Sequence, residues 1–395
     1  MATMTQPLLA ETDVLVVGAG IVGLAHAAAA LRRGHTVTVI DRDSRAVGAS
    51  IRNFGHACVT AQSGDLLELA HIARGRWLDL ASAAGFFAVS HGAVAVARTA
   101  RELAVLDELA ASREPGEVRL LDAEAVRDAL SVPGDARISG GALLRDDLRV
   151  DPRQAVGAIA GWLSEQGVRF LWNTSYLHAG DGVVHTSRGT VRAQRTFVCV
   201  GHDLDLVHPV EAADHGIRRC GLQMARVAAP AGVAIGPAVL TGTSMLRYPA
   251  FAETAAAATL RDDFLAADPA VVEIDANVMF TQRPDGTIIV GDSHRYDATM
   301  DPFLDETTSE VLLQRVAEVL GTGPLRVVER WQGVYAHSLT GPYLVTEVAD
   351  GVTAVSVTSG VGMTIALGLA ERVLDERLPS LTLPSLTTSS LTKAN

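Results

Sequence analysis

The sequence predicts an α/β fold in which a Rossmann-like nucleotide-binding domain is interleaved with an antiparallel-sheet α+β domain. Three stretches predict it. Val14 to Val17 is a β-branched run that feeds Gly18-Ala19-Gly20-Ile21-Val22-Gly23, then a helix-forming run from Ile21 to Arg33, then an apolar strand from Thr36 to Ile40 that ends at Asp41. That order of strand, glycine turn, helix and strand is a βαβ unit. Between Cys220 and Arg295 the pattern is strand-rich, with Met279 to Gln282 and Thr287 to Val290 flanking Pro284-Asp285-Gly286 as a hairpin. Late in the chain, Ala354 to Val357 leads through Ser359-Gly360-Val361-Gly362 into a terminal helix.

The remaining elements follow in order. Asp65 to Ala84 carries Leu66, Leu69, Ile72, Ala73, Trp77 and Leu80 at helical spacing, which predicts an amphipathic helix. Asp151-Pro152 ahead of Ala155 to Glu165 supplies an N-cap and a proline at the first helical position, and Gly167 stops the helix. Val168 to Trp172, Ser175 to Leu177, Val183 to Thr186, Thr190 to Ala193 and Thr196 to Val200 read as short strands, the last running into Gly201. Thr307 with Glu310 forms a capping box ahead of Val311 to Leu320. The expected partition places 1–86, 147–214 and 322–385 in the nucleotide domain and 87–146 and 215–321 in a substrate domain. The Ser-, Thr- and Leu-rich stretch after Leu378, above all 386–395, is expected to be a loose tail.

Composition narrows the partners. At 395 residues and 48% hydrophobic content, the chain can bury more than one core. A net charge of -12 argues against a nucleic-acid partner, which normally meets a basic face. Cys58, Cys199 and Cys220 form no CxxC pair, so reduced, mostly buried thiols are expected, and no metal site. Met1 to Glu11 lacks the basic and apolar regions of a signal peptide, and the Ala-rich run Leu24 to Leu31 is too short to span a bilayer. A cytoplasmic protein without membrane insertion is the expectation, and for such a chain the triplet Asn173-Thr174-Ser175 is not a glycosylation site. Oligomeric state is left open. The twelve histidines show no HExxH spacing and no GxSxG elbow occurs, which disfavours zinc and triad hydrolases.

The glycine turn carries the chemistry of the first unit. Gly18 permits a tight turn, Gly20 lets backbone approach a pyrophosphate, and Gly23 lets the helix pack on the strand. The helix start adds unpaired N–H groups and a favourable dipole. Asp41, about 20 residues on, suits ribose hydroxyls. Arg42 and Arg45 could meet a 2'-phosphate, but the Asp41 carboxylate opposes that. This unit leaves NAD and FAD both open. The second glycine-rich helix start at Gly360-Val361-Gly362-Met363-Thr364 lies too late to be the first nucleotide crossover and can point at a second negative centre.

With those residues the chain resembles the D-amino acid oxidase superfamily, which includes glycine oxidase and sarcosine oxidase, over nearly its whole length. The resemblance rests on the N-terminal turn with Asp41-Arg42, Gly48-Ala49-Ser50 through Asn53 and Gly55, Gly140 to Leu143 through Val150-Asp151-Pro152, Phe197 to Gly201, Arg283-Pro284-Asp285-Gly286 through Gly291, and Gly360 to Gly362. It implies FAD, held non-covalently, with the late helix start facing the flavin's C2 carbonyl and N1. It also implies that Ser50, Arg52, Asn53 and Phe54 lie along the flavin or its phosphates and that Tyr176 holds the adenine through its backbone. Gly333 stands where sarcosine oxidases carry the cysteine linked to flavin, and His56 lies just beyond the position of histidine-linked relatives.

The implied reaction moves a hydride from the carbon bearing an amine to flavin N5 and leaves an imine that hydrolyses. Relatives that act on α-amino acids anchor the carboxylate with an arginine where this chain has Tyr335, and sarcosine oxidases use a lysine where it has Thr364. With both anchors replaced, the substrate's anionic group, if any, is expected to meet Arg52, Arg295, His294 or His337, with Tyr335, Tyr248 and Gln223 as walls. Ile51-Arg52-Asn53-Phe54-Gly55 resembles flavoenzymes of organophosphonate breakdown, so an aminophosphonate or an N-methylated amine is the expected substrate. Ile289 replaces a lysine that promotes oxygen reduction in sarcosine oxidase, which leaves oxygen or another acceptor open. The rival readings are a hydroxy-acid or alcohol dehydrogenase with His337 or His294 as base, and a flavin-binding subunit of a larger complex.

Overall fold

The computed structural model describes residues 7–134 and 136–378, so the stretch expected to form a loose tail lies outside the described residues. The first sheet has a parallel core in the order Arg169–Leu171, Val37–Ile40, Leu8–Val17, Gly189–Val198 and Val352–Val357. Strands buried on both faces need continuous apolar runs, and Val37–Ile40 and Val352–Val357 are buried at every position. An antiparallel strand, Tyr343–Ala349, pairs with Val352–Val357, and the hairpin of Tyr176–Gly180 and Val183–Thr186 pairs with the start of Gly189–Val198. The expected pair of strands between residues 190 and 200 is one strand, because Arg192, Ala193 and Arg195 keep pairing with Leu8–Val17 while the two arginine side chains reach the surface.

Helices Ile21–Arg32, Gly64–Ala84, Pro152–Glu165 and Gly362–Arg377 share one core with this sheet, through Leu24, Trp77, Ile159 and Leu369 among others. The Asp151 side chain accepts from the N–H groups of Arg153 and Gln154, which caps the third of these helices as expected. Two contacts fix the last helix. A Cβ added to Gly368 would stand 2.0 Å from the Leu69 carbonyl oxygen, so glycine is what lets Gly362–Arg377 cross Gly64–Ala84 at backbone contact. Glu371, almost buried, meets Arg32, Arg33 and Arg76, the last two at 2.8 and 2.6 Å. Burial alone would raise its proton affinity, but the three guanidinium groups hold the carboxyl below its ordinary range.

The second sheet has nine strands, ordered Arg295–Asp297, Arg218–Val227, Ile288–Gly291, Met279–Gln282, Ala238–Leu240, Ala93–Ala97, Gly140–Leu144 and Val118–Asp122, with Val327–His337 on the other side of Arg218–Val227. The domain boundary expected at residue 322 puts Val327–His337 with the nucleotide domain, whereas ten register positions pair it to the second sheet. Its alternating pattern shows a strand but not its partner, which lies about 110 residues upstream. The expected hairpin forms. The stretch read as strand-rich also contains a helical excursion, Leu260–Ala267 and Pro269–Glu273 being its longest parts. Helix Glu306–Val319 is capped by Asp305, which accepts from Thr308 N–H at 2.7 Å; Thr307 lies inside the first turn and is not the cap. Among the described residues no helix is long and apolar enough to cross a membrane.

Gly368→Ala tests the helix crossing. In an open helix this change would stabilise by about 1 kcal/mol, whereas here the methyl overpacks backbone, with an expected loss of roughly 1–3 kcal/mol. Thermal unfolding should show a lowered melting temperature, and an increase would contradict the close approach.

Candidate functional site

One cavity of about 500 Å³ runs along the C-terminal ends of the parallel strands and on to the second sheet. Ligands bind at that edge in open α/β sheets because helix starts and loops converge there. At its centre lies the first glycine turn. Gly18 adopts φ +100°, and a Cβ there would stand 2.5 Å from the Cys199 carbonyl oxygen. A Cβ on Gly23 would meet the Gly18 oxygen at 1.9 Å, so this glycine packs the helix onto the turn and does not line the cavity. Gly20, Ile21 and Val22 do line it. Ser50 Oγ accepts the Ile21 N–H at 2.9 Å, which shows an oxygen seated at the helix start, as a phosphate oxygen would be.

Asp41 closes the same turn. Its two oxygens accept the N–H groups of Ala19 at 2.7 Å and Asp43 at 2.9 Å, and the residue lines the cavity beside Thr174 and Tyr176. Burial pushes its carboxyl up, against the lowering effect of those two N–H groups. Tyr176 is held by its hydroxyl, 3.0 Å from His208 Nε2. Arg42 lines the cavity as well, and its guanidinium pairs with Asp203 at 2.7 Å. Asn53 shapes the loop between: its amide donates to Ala49 and Ser50 carbonyls and accepts the Gly55 N–H. Arg52, Phe54, Gly201 and Gly333 complete this part of the wall.

The second helix start faces the same cavity. Gly360, Val361, Gly362 and Met363 line it, and Gly360 adopts φ +78° with the Tyr335 ring about 3.0 Å from where a Cβ would sit. The first N–H groups of a helix have no partner within it, so this turn offers donors and a positive dipole end. Trp77 Nε1 donates to the Met363 carbonyl at 2.7 Å and fixes the turn from behind. Thr364, expected at the flavin, does not line the cavity: one residue further round the helix, its hydroxyl accepts the buried Cys58 N–H at 3.1 Å.

Beyond Tyr335 the wall is made by Gln62, Arg247, Tyr248, Asn277, Asp292 and His294. Arg247 donates to Asp275 at 2.8 Å and to the Tyr296 hydroxyl at 3.3 Å. Burial works against its charge, and the Asp275 carboxylate beside it favours the charged form, which the guanidinium keeps. Asp292 is buried and raised to about 7 by that burial, with Arg247 opposing. Burial and Arg247 lower His294, which is therefore neutral near pH 7. Burial also raises the phenols of Tyr335 and Tyr248, whose hydroxyls stay protonated.

Three expected substrate contacts lie elsewhere. Arg295 is exposed and outside the cavity, because side chains alternate along a strand and His294 and Tyr296 take the inner side. His337 packs on Tyr296 with ring centroids 4.4 Å apart and does not line the cavity. Gln223 sits against Ser309 and not in the wall. Sequence reasoning missed Arg247, Asn277 and Asp292. The string Gly291-Asp292-Ser293-His294 offered the one signal, two ionisable residues directly after a hairpin strand.

The three cysteines are free and buried. Among the described residues, His56, Cys58 and Asp147 place their ligand atoms within 4.8 Å of one another. Asp147 is already engaged there, by His56 Nε2 and the Thr60 N–H, both at 2.7 Å. His56 lies outside the cavity.

A family model described as FAD dependent oxidoreductase (DAO) matches residues 13–376. No match is found among curated proteins. The solved structures similar to this chain include glycine oxidase from Geobacillus kaustophilus, at 18% identity and TM-score 0.73 over 98% of this chain and 99% of that one. L-proline dehydrogenase from P. horikoshii aligns at 17% identity and TM-score 0.74, covering 94% of this chain and 96% of that one. Iminodiacetate oxidase from Chelativorans sp. BNC1 aligns at 19% identity and TM-score 0.71, covering 94% and 97%.

The turn geometry predicts how FAD is lost. Gly18→Ala should lower FAD affinity at least tenfold, which is about 1.4 kcal/mol or more, and the purified protein should carry correspondingly less flavin per chain. Gly157→Ala, whose methyl would meet nothing within 4 Å, is the control and should keep its full flavin content.

Proposed function

The chain belongs to the DAO family of FAD-dependent oxidoreductases, and we propose that it oxidises a small amine whose far end carries an anionic group. The observation that carries this reading is Arg247, a charged guanidinium on the cavity wall at the end away from the dinucleotide turn, next to Tyr335. The names of three structural neighbours, for glycine, L-proline and iminodiacetate, all denote amines that carry a carboxylate. The usual arginine position is Tyr335 here, so Arg247 would supply the anchoring charge from another element.

The residues fit FAD. The glycine turn presents Gly18 and Gly20 to the cavity as bare backbone, and two helix starts offer N–H groups along one continuous cavity. When bound, FAD accepts a hydride at its N5. The protein's own tasks are to orient the substrate, exclude water and set its protonation. Arg247, pinned by Asp275 and Tyr296, presents a planar fork to the two oxygens of a carboxylate or to two of the three oxygens of a phosphonate. Tyr335 and Tyr248 bring apolar ring surface to the space between anchor and flavin. The imine released after oxidation hydrolyses in water to an aldehyde or keto product. The resemblance of Ile51-Arg52-Asn53-Phe54-Gly55 to organophosphonate-degrading flavoenzymes favours an aminophosphonate or its N-methyl derivative among such amines.

Anaerobic mixing with a panel of amines, N-methyl amines and aminophosphonates should bleach the flavin with an anionic amine and release ammonia or a primary amine. A substrate that bleaches it without amine release would establish carbinol oxidation instead. Oxygen consumption in the same panel separates an oxidase from a dehydrogenase. Arg247→Met should lower kcat/KM by about 2–5 kcal/mol, at least roughly thirtyfold, since it removes the charge that would pair with the substrate's anion inside the cavity. Arg295→Ala, on the outer side, should leave KM unchanged.

A further inference from the structure

Two acceptor groups in the cavity, the His294 ring and the Asp292 carboxylate, stand close together. His294 Nδ1 lies 2.9 Å from the Asp275 carbonyl oxygen. A carbonyl can only accept, so the ring proton is on Nδ1 and Nε2 is left as a bare acceptor. That Nε2 is 3.9 Å from Asp292 Oδ2, and both residues line the cavity. The Asp292 side chain is 6% exposed, and its Oδ1 has no hydrogen-bond partner. An orphaned carboxylate oxygen in a buried wall is costly to leave unpaired. Two acceptors about 4 Å apart are bridged by one nitrogen that donates two N–H bonds of ordinary length.

We propose that Asp292 and His294 receive the substrate's ammonium group, and that Asp292 takes one of its protons before oxidation. This rests on the reading of the cavity as an anionic-amine site, with Arg247 holding the opposite end. The transfer is R–NH3+ with Asp292–COO− giving R–NH2 and Asp292–COOH: one N–H bond breaks, one O–H bond forms, and the nitrogen recovers its lone pair. That lone pair is what makes the adjacent C–H a hydride donor. Asp292 and Arg247 together favour zwitterions, binding amines without an anion and anions without an amine more weakly.

Charges around Asp292 act in both directions. Arg247 favours its carboxylate and Asp275 opposes it, while Asn277 donates towards it and Tyr248 and Cys220 face it as neutral groups. Burial dominates, and the carboxyl titrates at about 7. Below that pH it is protonated and cannot accept, so affinity for the ammonium should rise with pH through 7.

The test uses the FAD-loaded protein in anaerobic stopped-flow mixing, where the first perturbation of the flavin spectrum reports binding before reduction. The probes are 2-aminoethylphosphonate against ethylphosphonate, and glycine against acetate. The wild type should bind the amine-bearing member of at least one pair tenfold or more tightly than its amine-free partner, increasingly so as pH rises through 7. Asp292→Asn should abolish that preference and its pH dependence while ethylphosphonate or acetate binds as before. Asp292→Glu should retain part of the preference, and melting temperature and flavin content establish that both variants are folded. A preference undiminished in Asp292→Asn overturns the role of Asp292 and leaves the anionic-amine reading standing. If neither amine-free anion binds the wild type, or Arg247→Met binds them equally well, the anionic-amine reading falls and this inference falls with it.

Discussion

Everything at the cofactor cavity depends on two parallel helices keeping their starts together. Ile21–Arg32 and Gly362–Arg377 both begin at the cavity wall. Side by side in the same direction, their dipoles repel, and the bulky residues of an ordinary interface would splay them. Alanines 27 to 30, all buried, make the first helix thin. At the far ends Arg32 and Arg33 reach Glu371 and Asp375, and the arginines also complement the negative end of their own helix. Arg76 brings the third helix into the same cluster. A buried ion pair of this kind adds little net stability over a well-packed apolar one. Its effect is positional: it sets the register of two helix starts whose N–H groups must address one ligand.

The second domain is joined to this frame by ion pairs, Arg283–Asp151 at 2.9 Å, Arg219–Asp205 at 2.6 Å and Arg153–Glu329 at 2.7 Å among them, and by backbone contacts. Arg52 O accepts Trp331 Nε1 at 3.2 Å, and Thr281 donates its hydroxyl to Phe54 O. A Cβ on Gly55 would stand 1.8 Å from the Val150 carbonyl oxygen, so the loop that carries Ser50 to Phe54 is pressed against the short strand Leu148–Val150. This loop of the cavity wall therefore has its position set by the second sheet and by the strand Leu148–Val150 together.

Local signals made the first part of this legible in the sequence. The Gly18 to Gly23 turn, the Asp151-Pro152 cap and the hairpin at Pro284-Asp285-Gly286 are each written within a few residues, where backbone sterics decide conformation. The Gly360 turn is written in its own glycine-rich helix start, the Tyr335 position follows from the resemblance, and both lie in the cavity wall. What was not legible depends on long-range pairing. Arg247 reads as an ordinary surface arginine until residues 275 and 296 are brought to it, and Arg295 looks the better anchor until the pleat turns it outwards. Thr364 was placed correctly in the helix and wrongly in azimuth, since one residue changes the facing direction by about 100° in an α-helix.

The charge state of the cavity around Arg247 follows from these contacts. Arg247 is balanced by Asp275, His294 is neutral, and burial raises the Asp292 carboxyl to about 7. Burying an unpaired charge is expensive, and the wall avoids it by keeping a paired cation and a titrating acid. A zwitterion entering such a site brings one charge for each. Its anion shares the fork that Asp275 does not saturate, and its cation shifts Asp292 towards the carboxylate that can accept the proton. The site is then most strongly polarised when the substrate is present, so the electrostatic work of setting the amine's protonation is tied to binding and not stored in the free protein.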